Sequence, residues 1–406
     1  MAGDAPVPGG GDVLTAPRQA EVAFVLPNKL GGVFSYVGNL LSHRRPDGLS
    51  YAAVRTHNIG ESDTQISEAL PADRDVLFEY SLPIENVHAV LRRLARVIPR
   101  GPGVVVANGW IELALTSIYD SGRAVVAINH GDFDFYYDLA VRHRDTIDAF
   151  VTYTERMRHR LRQLLPDRHD SIFLLPYGVD IPASVRRPAP GRLRLLYVGR
   201  LSKDKGVFDL PLIDRRLREL GVEVLWTVQG AGPDAAQLKA DWSDRPDIRW
   251  TGQQPKSDVL RLYEQHDVLV MPSRGEGLPV ALLEGGAAAL VPVVSDLASG
   301  IPEIIESGVS GYRAPVGDVG AFADAIAALH RDRDRLESMS ATVRDVVVRR
   351  FDATQRTVEY QRLFARWREL KRARPTHPRL HYGSRLDQPW MPNTAVKLIR
   401  SALRRA

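Results

Sequence analysis

The 406-residue sequence contains no cysteine, which excludes disulfides, thiolate metal sites and a cysteine nucleophile. No apolar stretch reaches the length of a membrane span, and the N-terminus lacks the basic and then apolar layout of a secretory signal. A cytoplasmic location is therefore expected. The net charge of +5 is too small to indicate nucleic-acid binding, but it suits polyphosphate ligands or an anionic membrane.

The apolar residues fall into short runs that alternate with amphipathic stretches, a pattern typical of parallel sheets covered by helices. Residues 1–20 are rich in glycine, proline and alanine and are predicted to form a flexible leader. Two α/β domains are predicted, at residues 21–185 and 186–350, joined through the four prolines between Pro176 and Leu193. We expect a ligand in the cleft between them.

The most informative stretch runs from Met271 to Gly286. Asp267–Met271 predicts a buried strand and Val280–Ala289 predicts a helix, with two glycines in the loop between them. Such a loop lets a ligand approach the backbone, and the helix N-terminus presents unpaired N–H groups to a phosphate. Because carboxylates repel phosphate, Glu276 and Glu284 are expected to accept hydrogen bonds from neutral hydroxyls. A nucleotide or a sugar carries both groups.

The segment Pro272–Glu284 resembles the Glu-x7-Glu motif of glycosyltransferase family 4, whose members have the GT-B fold of two Rossmann-like domains facing across a cleft. The resemblance implies that Glu276 holds hydroxyls of a donor sugar and that Glu284 holds the ribose of its nucleotide. Three residues between these glutamates are also implied to bind the donor: Gly277, Leu278 and Pro279. The alternative is a charged helix start, with Glu276 near the positive end of the helix dipole.

A second signature follows the predicted strand Leu195–Val198. Arg200 and Lys205 lie after the carboxyl end of this strand, where open parallel sheets bind ligands. The segment resembles the family's Gly-Arg and Lys-Gly signature, which implies that both cations bind the donor diphosphate and neutralise the leaving group. The alternative is that both are solvated surface charges.

Two glycine loops are assigned to the donor by the same resemblance. Gly31 and Gly32 follow the first strand, where paired glycines expose backbone amides, although a simple strand–helix turn is the alternative. Gly230 follows the predicted strand Val222–Val228 in a nearly complete dinucleotide fingerprint. Because this is the second strand of its domain, we expect a turn approached by the nucleotide rather than a nicotinamide site.

His130 ends a strand of the first domain and is expected to hydrogen-bond a hydroxyl of the donor or the acceptor, with a structural histidine as the alternative. Nearby Asp132 and Phe133, together with Lys29, are expected to contact the acceptor. Asp132 and Asp134 form an Asp-x-Asp pair, which ligates a metal in the other main glycosyltransferase fold. Family 4 does not need it, so no metal and no other cofactor is predicted.

The sequence thus predicts a GT-B enzyme that moves a sugar from a nucleoside diphosphate sugar, with UDP or GDP, to a hydroxyl of a saccharide, lipid-linked or small-molecule acceptor. Such a reaction belongs to glycan, glycolipid or glycoside biosynthesis, and retention at the anomeric carbon is implied by the resemblance alone. The residues predicted to be catalytic are Glu276, Arg200, Lys205 and His130. The alternatives are a sugar-nucleotide epimerase of the same fold and a non-catalytic sugar-nucleotide-binding subunit; a nicotinamide dehydrogenase is the weakest.

The resemblance also implies that a helix over 351–375 crosses back to the first domain, followed by a basic tail at 376–406. In the tail, five apolar residues recur at helical spacing and form one stripe: Ala395, Leu398, Ile399, Ala402 and Leu403. Four cations lie beside or opposite it: Lys397, Arg400, Arg404 and Arg405. With Trp390 upstream, contact of residues 390–405 with the inner face of an anionic membrane is one hypothesis. Packing of the stripe on a domain is the favoured alternative.

Overall fold

The computed structural model describes residues 20–29, 31–61, 66–98, 100–186, 190–374, 380 and 382–404. The predicted leader therefore lies outside the described residues apart from Ala20. Two parallel sheets with covering helices are present, which confirms the predicted α/β class. No helix in the described part of the chain is long and apolar enough to cross a membrane.

The first sheet has seven parallel strands in the order β3-β2-β1-β4-β5-β6-β7. In chain order these are β1 (Glu21–Pro27), β2 (Ser50–Asn58), β3 (Arg74–Tyr80), β4 (Gly103–Ala107), β5 (Ala124–Ile128), β6 (Ala149–Thr152) and β7 (Ile172–Leu174). Its helices are α1 (Gly32–Ser42), α2 (Val87–Val97), α3 (Ile111–Thr116), α4 (Asp134–Arg142) and α5 (Glu155–Leu164). The central strands are buried on both faces, so they read as unbroken apolar runs in the sequence.

The second sheet has six parallel strands in the order β10-β9-β8-β11-β12-β13. These are β8 (Leu193–Val198), β9 (Val224–Gln229), β10 (Arg249–Gly252), β11 (Val268–Met271), β12 (Val291–Ser295) and β13 (Tyr312–Ala314). Its helices are α6 (Asp209–Glu219), α7 (Ala235–Asp241), α8 (Lys256–Glu264), α9 (Val280–Ala287), α10 (Val319–Arg331) and α11 (Arg333–Phe351). β11, the two-glycine loop and α9 form the strand, turn and helix that the sequence predicts.

The single helix predicted over 351–375 is divided into α12 (Ala353–Ala365) and α13 (Trp367–Leu370). The division falls at Arg366, whose backbone leaves the helical conformation (ψ 16°), whereas Asp352 separates α11 from α12 and caps α12 by accepting from the amide of Gln355. α12 lies against the first sheet: the rings of Phe24 and Phe364 are 5.8 Å apart. A final helix, α14 (Asn393–Leu403), follows in the tail.

The carboxyl ends of the two sheets face each other, so the loops that follow the strands meet across the cleft. A Cβ placed on Gly277, after β11, would lie 2.8 Å from the Cα of Gly131, after β5. A Cβ on Gly300, after β12, would lie 2.6 Å from the side chain of Thr154, after β6. One apolar cluster runs from the first sheet through this contact to α9. The cleft is therefore lined by the loops that carry the sequence motifs.

Candidate active site

The loop after β8 is bent tightly against the end of β11. Gly206 ends a short turn at Lys203–Lys205 with a left-handed backbone (φ 68°), and a Cβ there would lie 1.8 Å from the carbonyl oxygen of Pro272. Only glycine therefore allows this approach. This close approach of Gly206 to Pro272 brings the neighbouring Lys205 to the loop after β11.

Lys205 and Glu276, which belong to two separate sequence motifs, form an ion pair of 2.8 Å between Nζ and Oε1. The hydroxyl of Ser273 donates to the same carboxylate oxygen, also at 2.8 Å. The Glu276 side chain is mostly buried and that of Lys205 is partly exposed. A cation and an oriented carboxylate thus stand side by side next to the N-terminus of α9.

Arg200 lies apart from this pair. Its guanidinium is largely exposed and pairs with Asp204 at 3.1 Å, while its carbonyl oxygen accepts from the hydroxyl of Tyr197 at 2.9 Å. The exposed side chain can therefore reorient toward a bound anion at little cost. Gly230 supports this loop from the other side, because a Cβ there would lie 1.9 Å from the carbonyl oxygen of Gly199.

Glu284 lies on α9, one helical turn beyond Val280, and accepts from the hydroxyl of Tyr263 at 3.3 Å. Burial raises the pKa of Glu284 to about 7, although the nearby charge of Lys256 opposes the increase. Near neutral pH this carboxyl can therefore donate as well as accept hydrogen bonds. Lys256 also crosses the cleft, where its Nζ contacts Asn39 of α1 at 2.5 Å.

Leu278 and Pro279 have structural roles in the same loop. The Leu278 side chain is buried at the domain contact, and its carbonyl oxygen accepts from the hydroxyl of Tyr177. Pro279 precedes the first turn of α9, where its missing N–H costs nothing. Gly277 packs against the backbone of Gly131 in the first domain, and its carbonyl oxygen accepts from the amide of Gly300 at 2.8 Å.

His130 faces this loop from the first domain, but both of its ring nitrogens are engaged within the protein. Nδ1 lies 2.7 Å from the hydroxyl of Tyr153, and Nε2 lies 2.8 Å from Oδ1 of Asn108. The side-chain nitrogen of Asn108, Nδ2, donates to the carbonyl oxygen of Val25, which fixes the orientation of the Asn108 side chain. Oδ1 of Asn108 is therefore the acceptor toward His130, and Nε2 of His130 carries the proton. Burial lowers the pKa of His130 to about 3, so the ring is neutral. The predicted bond to a hydroxyl would have to replace one of these two contacts.

The Asp132 carboxylate is also engaged within the protein. Its side chain is 4% exposed and accepts from Tyr137 at 2.6 Å, Arg156 at 2.7 Å and Arg160 at 3.2 Å. Burial alone would raise the pKa of Asp132, but these hydrogen bonds outweigh it and hold the pKa below its usual value. The carboxylate is therefore unavailable to an acceptor in this arrangement. Asp134 pairs with Arg160.

No group of three or more metal-binding side chains occurs in the described ranges. The remaining predicted residues lie at exposed positions in segments that follow strands of the first sheet. Lys29, Gly31 and Gly32 are exposed at the start of α1, and a Cβ on either glycine would meet nothing within 4 Å. Packing therefore does not require glycine there, which leaves room for a ligand at the backbone. Phe133 is half exposed and its ring lies over Gly131.

Sequence reasoning missed several residues that build the site, among them Asn108, Tyr153, Tyr177 and Lys256. Asn108 could have been found, because it directly follows the buried strand β4 and strand ends line such clefts. Lys256 begins an ordinary amphipathic helix, and nothing in the sequence indicates that it reaches Asn39.

Residues 184–346 match the family model of glycosyl transferases group 1. The putative colanic acid biosynthesis glycosyltransferase WcaL of Salmonella typhimurium is 34% identical over 188 residues, 43% of this chain and 46% of the relative. The amylovoran biosynthesis glycosyltransferase AmsK of Erwinia amylovora is 39% identical over 140 residues, 32% of this chain and 34% of the relative. The chain thus spans less than half the length of either relative.

Among solved structures, Anabaena HepE in complex with UDP and glucose aligns with a TM-score of 0.69 over 86% of this chain and 100% of that one, at 14% identity. The predicted GT-B fold is confirmed, with its two Rossmann-like domains facing across a cleft. The glycosyltransferase group 1 match covers the second domain, the part that contains Arg200, Lys205, Glu276 and Glu284.

Proposed function

We propose that this protein is a family 4 glycosyltransferase that moves a sugar, with retention, from a nucleoside diphosphate sugar to an acceptor hydroxyl. The observation that supports this most strongly is the 2.8 Å pair of Lys205 and Glu276 beside the N-terminus of α9. A diphosphate needs cations and free N–H groups, and a sugar needs an oriented hydrogen-bond acceptor. The contact between the loops after β8 and β11 provides a cation for the diphosphate and a carboxylate for the sugar.

The leaving group is stabilised from three directions. Lys205 and Arg200 bring positive charge to the carboxyl end of β8, and the first-turn N–H groups of α9 have no partners within the helix. Lys205 and these amides are in place before the diphosphate leaves, and the exposed Arg200 turns from Asp204 toward the bound donor, so stabilising the growing charge requires little reorganisation. Glu276 holds the sugar hydroxyls in a reactive pose, and Glu284 holds the ribose.

Domain closure completes the site. The contacts of Gly277 with Gly131 and of Gly300 with Thr154 bring the donor loops against the first domain. Closure removes water, which would otherwise hydrolyse the donor. In this proposal the reaction needs no metal or other cofactor.

An apolar cavity favours one of the three acceptor classes. It has a volume of about 470 Å³ and lies between the first domain and the tail, lined mainly by apolar and aromatic side chains that include Leu82, Trp110 and Phe135 of the first domain and Tyr382 of the tail. The ring of Phe135 is 5.2 Å from that of Tyr136, which is 5.9 Å from His130. An acceptor with an apolar group, such as a lipid-linked saccharide, could place that group here and its hydroxyl in the cleft. We propose polysaccharide or glycolipid biosynthesis on the cytoplasmic side of a membrane.

The test is turnover with a panel of sugar nucleotides and two acceptors, one alkyl glycoside and one free saccharide. UDP-glucose comes first because the structural relative HepE binds UDP and glucose. We expect acceptor-dependent release of nucleoside diphosphate and a product with the anomeric configuration of the donor. Release without an acceptor would indicate an epimerase or a hydrolase, and absence of turnover with every donor would favour a binding subunit.

Lys205→Ala and Lys203→Ala form a matched pair for this assay. Both lysines lie in one short turn, but Lys205 pairs with Glu276, whereas the backbone amide of Lys203 donates to Asp234. Loss of a charge-assisted contact made mainly in the transition state costs about 2.7–4 kcal/mol, which is about two to three decades in rate. Lys203→Ala should behave as wild type. Equal rates for both variants would contradict the diphosphate assignment.

A further inference from the structure

The helix α14 docks on the first domain through its polar side. Arg400 donates to the carbonyl oxygen of Leu82 at 3.2 Å and pairs with Asp387 at 2.6 Å. Lys397 pairs with Glu85 at 3.2 Å. One turn earlier, Asn393 accepts from the backbone amide of Asn86 at 2.8 Å, and Val396 is fully buried. Residues at this spacing share one face, so the docked face is fixed.

The apolar stripe points the other way. Leu398 is 73% exposed and Leu403 is 69% exposed, and Trp390, just before the helix, is 74% exposed. Ile399 is also exposed, at 41%. The favoured expectation that the stripe packs on a domain is therefore wrong for the described residues. The stripe faces outward because the polar side of the helix makes the specific bonds to α2 and its preceding turn.

The charge of the chain is concentrated in the same region. The tail, residues 376–406, contains six lysines and arginines and one acidic residue, a net charge of +5. The whole chain also carries +5, so residues 1–375 carry no net charge. A basic segment with an outward apolar stripe is the combination that binds the interface of an anionic bilayer.

We propose that α14 lies flat on an anionic lipid surface, with Trp390, Leu398, Ile399 and Leu403 inserted between the headgroups. The polar bonds on its other side then hold the first domain close to that surface. A second copy of the chain is the competing occupant, but two tails of net charge +5 would repel each other, whereas anionic lipid attracts both. The interaction is thus with lipid, and it is separate from the chemistry of the cleft.

The test is co-sedimentation of the full-length protein with vesicles of phosphatidylglycerol and phosphatidylcholine. The stripe variant combines Leu398→Ser, Ile399→Ser and Leu403→Ser. The matched control combines Leu212→Ser, Val309→Ser and Val316→Ser, three apolar residues of the second domain that are 43%, 46% and 45% exposed. Because all six side chains are at the surface, both variants should keep the wild-type melting temperature.

We expect wild type and control to sediment with anionic vesicles and not with pure phosphatidylcholine, and the stripe variant to bind at least about tenfold more weakly. Brominated lipid should quench Trp390, and Trp390→Phe should remove that quenching. Wild-type binding by the stripe variant, or no binding by wild type, would overturn the proposal. So would a dimer that depends on the stripe and ignores vesicles.

Turnover with a water-soluble acceptor separates this proposal from the proposed function. Without vesicles, the stripe variant should transfer sugar at the wild-type rate, because its substitutions lie outside the cleft. If the stripe variant no longer sediments but keeps its turnover, the membrane role is supported independently of the chemistry. If no variant shows turnover, the proposed function fails, but the sedimentation result still tests the membrane role.

Discussion

Gly277→Ala tests whether contact between the two domains is required for transfer. The added methyl would lie 2.8 Å from the Cα of Gly131 and 3.5 Å from the amide nitrogen of Asp132. Both are backbone atoms, so neither can turn away as a flexible side chain would. The clash exists only when the domains are closed, because its two sides belong to different sheets.

The size of the effect follows from the cost of overpacking. One methyl forced into a filled site costs about 1–3 kcal/mol. If the open state is unaffected, the closed population falls by about five- to 150-fold, and kcat/KM falls by the same factor. Binding of the bare nucleoside diphosphate should change less than about twofold, since we place that ligand on the second domain and alanine retains the backbone N–H.

Gly275→Ala is the matched control, because it is in the same loop and a Cβ there would meet nothing within 4 Å. Steady-state kinetics and calorimetry with nucleoside diphosphate should be measured on both variants, with thermal melting as the check on folding. Wild-type kcat/KM for Gly277→Ala, or equal losses in the two variants, would refute the requirement for closure.

Three further predictions concern single carboxylates and one arginine. Glu284→Ala should weaken calorimetric binding of nucleoside diphosphate, whereas Glu276→Ala should leave that binding nearly unchanged and depress transfer; equal losses would contradict the division between ribose and sugar. Arg200→Ala should lower kcat by about two decades without changing the melting temperature, since its side chain is exposed, and unchanged kcat would remove it from the site. The pKa of Glu284 rises from 4.5 to about 7 on folding, so its folded state binds the proton more tightly and stability falls as pH rises from about 4.5 to 7. We therefore expect the difference in unfolding free energy between Glu284→Gln and wild type to shift in favour of the variant by about 1–3 kcal/mol between pH 4 and pH 8, as measured by urea denaturation. A difference that does not change with pH would refute the pKa shift.

Features that depend on neighbouring residues could be predicted from the sequence. The buried central strands are continuous apolar runs, and the turn between β11 and α9 follows from its glycines and Pro279. The division of the predicted helix at 351–375 was missed because Arg366 reads as an ordinary polar residue within an amphipathic pattern. Only its non-helical backbone between α12 and α13 shows the break.

Contacts between distant residues could not be predicted in the same way. Lys205 and Glu276 are 71 positions apart, and their pairing depends on the approach of Gly206 to Pro272. His130 looked like a group available to substrate because its partners, Asn108 and Tyr153, lie on other strand ends.

The orientation of α14 was also beyond the sequence. Helical periodicity identifies an apolar stripe but does not show which face of the helix docks. Arg400 also donates to the carbonyl oxygen of Glu85, which is 315 positions away in the sequence. The specific polar bonds decided the orientation, against the hydrophobic preference.

The most direct test of the central claim is a crystal structure of the protein with an intact nucleoside diphosphate sugar. We expect the diphosphate within hydrogen-bond distance of Lys205 and the first-turn amides of α9, the sugar against Glu276 and the ribose against Glu284. A nucleotide bound elsewhere, or one bound here with its sugar directed away from Glu276, would contradict the proposed donor site.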